Sequence, residues 1–164
     1  MKYFSGFCLE NESELFEEFT CRGDFCVVGF SYGAQKAFEY AFTCKNRIDK
    51  IQLLSPAFFH EQSDKFKKLQ TMFFKKDSDE YCKNFIKNIG LEYMKFFKKG
   101  TQSELKELLY YEWDRDKLKE LKSRNIDIEV YVGADDKTVD SLHVKNFFQE
   151  FATIYYMKNK GHML

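Results

Sequence analysis

The chain has 164 residues, about one domain's worth. Lys+Arg and Asp+Glu are 26 each, so the net charge is zero and no nucleic-acid partner is expected from overall basicity. Hydrophobic residues make up 44% of the chain, enough to build a core and to argue against disorder. The apolar runs, such as Phe25-Cys26-Val27-Val28, fall far below the roughly 18 residues of a membrane span, and no membrane partner is expected. The amino-terminal stretch is interrupted by Ser5 and Gly6 and turns acidic at Glu10, which predicts no signal peptide and a cytoplasmic location.

Taken along the chain, Phe25–Phe30 and Ile48–Leu54 read as buried strands of a parallel sheet. Between them Ala34, Ala37, Phe38 and Ala41 recur at helical spacing, which completes a strand–helix–strand unit. Residues 60–124 are charged and helical in pattern, and Thr101-Gln-Ser-Glu104 matches a capping box that opens a helix. Alternation returns at Ile128, Val130 and Val132. A helix follows with Val144, Phe147, Phe148 and Phe151 on one face, and Ala152–Met157 reads as the last strand. The expected fold is a single α/β domain with core 1–59 and 125–164 and a helical lid over about 60–124. Cys8, Cys21, Cys26, Cys44 and Cys82 lack paired metal-ligand spacing and are expected as free thiols. No metal or other cofactor is expected.

The chemistry-bearing segment is Gly29-Phe30-Ser31-Tyr32-Gly33, a Gly-x-Ser-x-Gly placed after a strand and before a helix. Such a turn pushes the Ser31 hydroxyl out of the sheet and needs glycine where the backbones crowd. It also leaves the Tyr32 backbone N–H free at a helix N-terminus, suited to an oxyanion. A serine needs a histidine base, and that histidine needs a carboxylate. Gly133-Ala134-Asp135-Asp136 follows one predicted strand and Gly161-His162 follows the last, so Ser31, Asp136 and His162 stand in the order serine, acid, histidine. Both partners sit just past strand C-terminal ends, where open α/β sheets bind ligands.

With these motifs the chain resembles the α/β-hydrolase superfamily over essentially its whole length. The resemblance favours Asp136, third after the glycine, over Asp135. It matches Ser5-Gly6-Phe7 to the oxyanion loop, adding the Phe7 N–H to that of Tyr32, and Asn11–Phe16 to the helix after that loop. Ordinary members have more strands before this loop, a further strand–helix unit before the serine and a helix after the histidine. This chain has Phe4-Ser-Gly-Phe7, Leu54-Ser-Pro56 and Gly161-His-Met-Leu164 instead. In that brevity it is similar to the compact BioV-type pimeloyl-acyl-carrier-protein methyl ester esterases of biotin synthesis.

The resemblance implies acyl carrier protein bearing a methyl pimeloyl group as substrate and partner. Residues 61–100 hold ten lysines against six acids. Lys65, Lys67, Lys68, Lys75 and Lys76 form the densest group, suited to steering an acidic carrier. Phe58, Phe59, Phe73, Phe74, Tyr110, Tyr111 and Trp113 are candidates for an acyl groove. A generic short-acyl carboxylesterase or thioesterase using the same three residues is the alternative, and a degenerate binding protein a third. His60 and His143 are expected to be structural or surface residues, and Asp140 receives no role.

Overall fold

The computed structural model describes residues 1–91 and 94–164. Five strands form one sheet in the order β1-β2-β3-β4-β5: β1 (Lys2–Phe4), β2 (Cys26–Phe30), β3 (Lys50–Leu54), β4 (Asp127–Gly133) and β5 (Thr153–Met157). Every adjacent pair is parallel. Parallel neighbours require crossovers. These are an irregular segment with one 3-10 turn between β1 and β2, α1 (Tyr32–Thr43) between β2 and β3, α6 (Ser141–Phe148) between β4 and β5, and a long excursion between β3 and β4. That excursion holds α2 (Asp64–Lys76), α3 (Ser78–Asn88), α4 (Gln102–Tyr110) and α5 (Arg115–Ser123).

Strand register divides the sheet into two unlike faces. Val27, Ile51, Leu53, Ile128 and Val130 face one way and are buried; on this face β2 and β3 pack against α1, whose Ala34, Ala37, Phe38 and Ala41 form its apolar stripe, while β4 packs against α6. Trp113 locks this layer, with ring centroids 5.2 Å from Phe38 and 5.0 Å from Phe148 of α6. The other face is partly polar. Glu129 accepts from Gln52 at 2.7 Å and Tyr131 at 3.1 Å and pairs with Lys50. Gln52 in turn holds the segment between β1 and β2, accepting from Cys21 N–H at 2.7 Å and donating to the Phe19 carbonyl at 3.0 Å.

Several boundaries move. Phe25, Ile48 and Asp49, predicted as strand, lie just before β2 and β3, and Ala152 lies just before β5. The helix matched to Asn11–Phe16 is a single 3-10 turn over Glu12–Phe16. The capping box is present at α4: Glu104 N–H donates to Thr101 Oγ1 at 3.2 Å and Thr101 N–H to Glu104 Oε2 at 2.7 Å. Although predicted as part of the lid, α5 packs against α1. Asp140 caps α6 by accepting from His143 N–H at 3.0 Å.

The expectation of five free thiols is corrected. Cys21 and Cys26 form a disulfide with Cα atoms 6.5 Å apart, because a turn through Gly23 returns the chain to the start of β2, while Cys8, Cys44 and Cys82 are free. Among the described residues no helix is long and apolar enough to cross a membrane.

Candidate active site

Ser31 occupies the turn from β2 into α1 at φ 53° and ψ −114°, a left-handed conformation that L-residues rarely adopt. Its peptide is held from several sides. Ser31 N–H donates to Leu54 O at 2.9 Å, and Ser31 O accepts from Ala34 N–H and Ala57 N–H, each at 3.1 Å. The flanking glycines are required by close approach: a methyl group on Gly29 would lie 2.1 Å from the Gly33 carbonyl oxygen, and one on Gly33 2.0 Å from the Phe4 carbonyl oxygen.

The acid and histidine loops are knit together at the C-terminal ends of β4 and β5. Ala134 N–H donates to Met157 O and Asp135 N–H to Lys160 O, both at 2.9 Å, and a side chain on Gly133 would collide with Gly161 O at 2.2 Å. This joint points His162 at Ser31. His162 Nε2 lies 2.9 Å from Ser31 Oγ, and Nδ1 lies 2.7 Å from Asp136 Oδ2. The other Asp136 oxygen accepts from Thr138 N–H at 2.7 Å and Val139 N–H at 3.2 Å, which fixes the carboxylate. Asp135, its neighbour, is exposed. An ionised carboxylate only accepts, so Nδ1 carries the proton and Nε2 is left to accept from the serine hydroxyl.

The backbone N–H groups of Tyr32, the residue after Ser31, and of Phe7, whose ring centroid lies 6.4 Å from that of Tyr32, have no hydrogen-bond partner among the described residues. The loop carrying Phe7 is braced by a residue that the sequence motifs do not single out. Glu12 is fully buried and accepts from Gly6 N–H at 2.8 Å and Tyr3 Oη at 3.3 Å. Its position in an acidic, polar stretch carries no sign of burial. The helical insertion is tied to the turn by Tyr32 Oη, which donates to Glu107 of α4 at 2.7 Å, and by Gln35, whose amide donates to the carbonyls of Ala57 and Leu108, both at 3.2 Å.

Ser31 and His162 are only 2% and 3% exposed. A cavity of about 380 Å³ lies between the helical insertion and the acid loop, walled by Phe59, Phe66, Phe85, Ile89, Leu108 and Leu109 and bordered by Lys137 and Thr138, the residues after Asp136. Of the aromatic residues expected to form a groove, Phe59 lines this cavity and Phe73 a neighbouring one. Tyr110 and Tyr111 line a separate cleft beside α1. Phe58, Phe74 and Trp113 are buried in packing.

The lysine group divides. Lys65, Lys68, Lys75 and Lys76 are exposed on α2. Lys67 is corrected: it is buried, its ammonium donates to the His60 carbonyl at 3.3 Å and lies 5.1 Å from the Tyr110 ring centre, so it offers no surface charge. His60 and His143 flank the Phe58 ring, and His143 pairs with Glu61 at 2.9 Å. Burial pushes the His60 imidazole below its ordinary value. Among the described residues no group of three or more His, Cys, Asp or Glu side chains is arranged to hold a metal.

No family model matches the chain, and no curated protein matches it in sequence. Solved structures do share its fold. A carboxylesterase of the thaumarchaeon Nitrososphaera gargenis superposes with TM-score 0.60 at 14% identity over 84% of this chain and 57% of that one. The esterase EaEST of Exiguobacterium antarcticum gives 0.63 at 16% identity over 82% and 58%. MenH of S. aureus gives 0.64 at 12% over 98% and 85%. The chain thus spans less than two thirds of the length of the first two. Its parallel sheet, strand–serine–helix turn and flanking helices define a minimal α/β-hydrolase fold.

Proposed function

We propose that this protein is a serine-dependent carboxylic ester hydrolase. The observation that carries the reading is the continuous contact from Ser31 Oγ through His162 to Asp136, 2.9 Å and 2.7 Å, assembled from three separate loops. In this reading Ser31 Oγ attacks the ester carbonyl as His162 Nε2 takes its proton, and Asp136 stabilises the imidazolium. The N–H groups of Phe7 and Tyr32 receive the oxyanion, a service worth about 10²–10³ in rate per donor. Collapse of the tetrahedral adduct expels the alcohol, protonated by His162. Water, deprotonated by the same nitrogen, then attacks the acyl-serine and releases the acid. The carboxylesterases and the esterase among the structural neighbours support this class of reaction.

Within that class, the substrate proposed is the methyl ester of pimeloyl-[acyl-carrier protein], giving methanol and pimeloyl-[acyl-carrier protein] for biotin synthesis. Its support is the sequence resemblance, the largely apolar cavity bordered by the acid loop, and four exposed lysines on α2, which suit an acidic carrier. The test is release of methanol from the carrier-bound ester, with Ser31→Ala as control. Turnover abolished by the substitution supports both levels of the reading. Hydrolysis of p-nitrophenyl esters without turnover of the carrier-bound ester would retain the hydrolase and replace its substrate by a generic short acyl ester.

A further inference from the structure

The helical insertion contains two cavities, and what separates them bears on the esterase reading above, on which this inference rests. The inner cavity, about 380 Å³, is walled largely by apolar side chains and is bordered by Lys137 and Thr138, the residues next after Asp136. The outer one, about 460 Å³, has a polar wall that includes Lys76, Asp77, Glu80 and Asn84. Gln70, Tyr81, Phe85 and Asn88 line both, so these four side chains stand at the boundary. Two of them are joined across it: Tyr81 Oη on α3 donates to Gln70 Oε1 on α2 at 2.7 Å. Burial pushes the Tyr81 phenol well above its ordinary value, so it remains a neutral donor at physiological pH.

We propose that the Gln70–Tyr81 bridge sets the length of acyl chain the enzyme accepts. An acyl group that ends at the bridge is housed entirely by Phe59, Phe66, Ile89, Leu108 and Leu109. A longer one must part the bridge, giving up its hydrogen bond, and then thread an apolar tail past charged side chains. The bridge therefore selects against long chains by the loss of a hydrogen bond as well as by bulk. Neither residue touches the reacting atoms. Both are specificity determinants.

The test compares wild type, Tyr81→Phe and Gln70→Leu on p-nitrophenyl esters from butyrate to dodecanoate. Ser31 labelling by a fluorophosphonate is measured in parallel. Each substitution removes the bridge while roughly keeping side-chain volume, so either one serves if the other fails to fold. The expected result is a decanoate-to-butyrate ratio of kcat/KM that rises about tenfold in the variants, carried by a lower KM for the long ester at similar kcat. An unchanged length profile in variants that still label at Ser31 overturns the length determinant and leaves the hydrolase reading standing. Absence of both labelling and ester turnover in the wild type overturns the hydrolase reading, and the length determinant with it.

Discussion

His162 Nε2 lies 2.9 Å from Ser31 Oγ although 131 positions separate the two residues along the chain. The contact depends on Asp136, whose Oδ2 receives the Nδ1 proton at 2.7 Å while its Oδ1 is held by two backbone N–H groups. Asp136→Asn turns the imidazole to the wrong tautomer, because the amide nitrogen donates to Nδ1 and Nε2 then carries the proton. The expected outcome is a fall in kcat of about 10⁴ on a p-nitrophenyl ester with folding retained. A fall below tenfold would remove Asp136 from the proposed mechanism.

The serine turn should tolerate almost no added volume. A methyl group on Gly33 meets the Phe4 carbonyl oxygen at 2.0 Å, and because the obstruction is backbone, side-chain movement cannot relieve it. Gly33→Ala is expected to destabilise the fold by about 3 kcal/mol or more. A methyl group on Gly23 would meet nothing within 4 Å, so alanine there should cost little. Thermal unfolding of the two variants side by side is the measurement.

Stability should decline in acid through Glu129. Burial pushes its carboxyl upward, but Lys50, Gln52 and Tyr131 outweigh that and hold it below the ordinary value of 4.5. A depressed folded value means the unfolded state binds the proton more readily. The stabilisation is complete above about pH 4.5 and is lost as pH falls through the folded value. Glu129→Gln should flatten this part of the stability–pH curve, as measured by urea unfolding between pH 3 and 6. An unaltered curve would assign the acid sensitivity elsewhere.

Charge reversal on α2 separates carrier docking from chemistry. Lys65→Glu with Lys68→Glu should raise KM for the carrier-bound ester about tenfold, leave a small soluble ester unaffected, and lose its effect at high salt. Lys67→Met should behave differently. Its ammonium serves the His60 carbonyl inside the fold, so the expected change is a lower melting temperature without a selective rise in KM. Equal losses on both substrates for the surface pair would place α2 outside carrier recognition.

Much of the architecture is legible from the sequence because its determinants are local. The runs around Val27 and Leu53, the alanine stripe of α1 and the Thr101–Glu104 box are encoded by residues close together in the chain. The Gly-x-Ser-x-Gly turn is legible for the same reason, and the order Ser31, Asp136, His162 already names the three side chains that meet. The three-residue β1 is too short to show a period and forms only because β2 offers it a parallel partner.

Choices among distant groups belong to the tertiary structure. It exposes Asp135 while turning Asp136 onto His162, buries Lys67 among four exposed lysines, closes Cys21 onto Cys26, and sets Glu12 beneath the loop of Phe7. It also joins Gln70 to Tyr81 across two helices. Composition and periodicity report which residues prefer burial. Which polar group finds a partner there is decided only when separate segments pack, since an unpaired polar group is costly in the interior and a paired one is not.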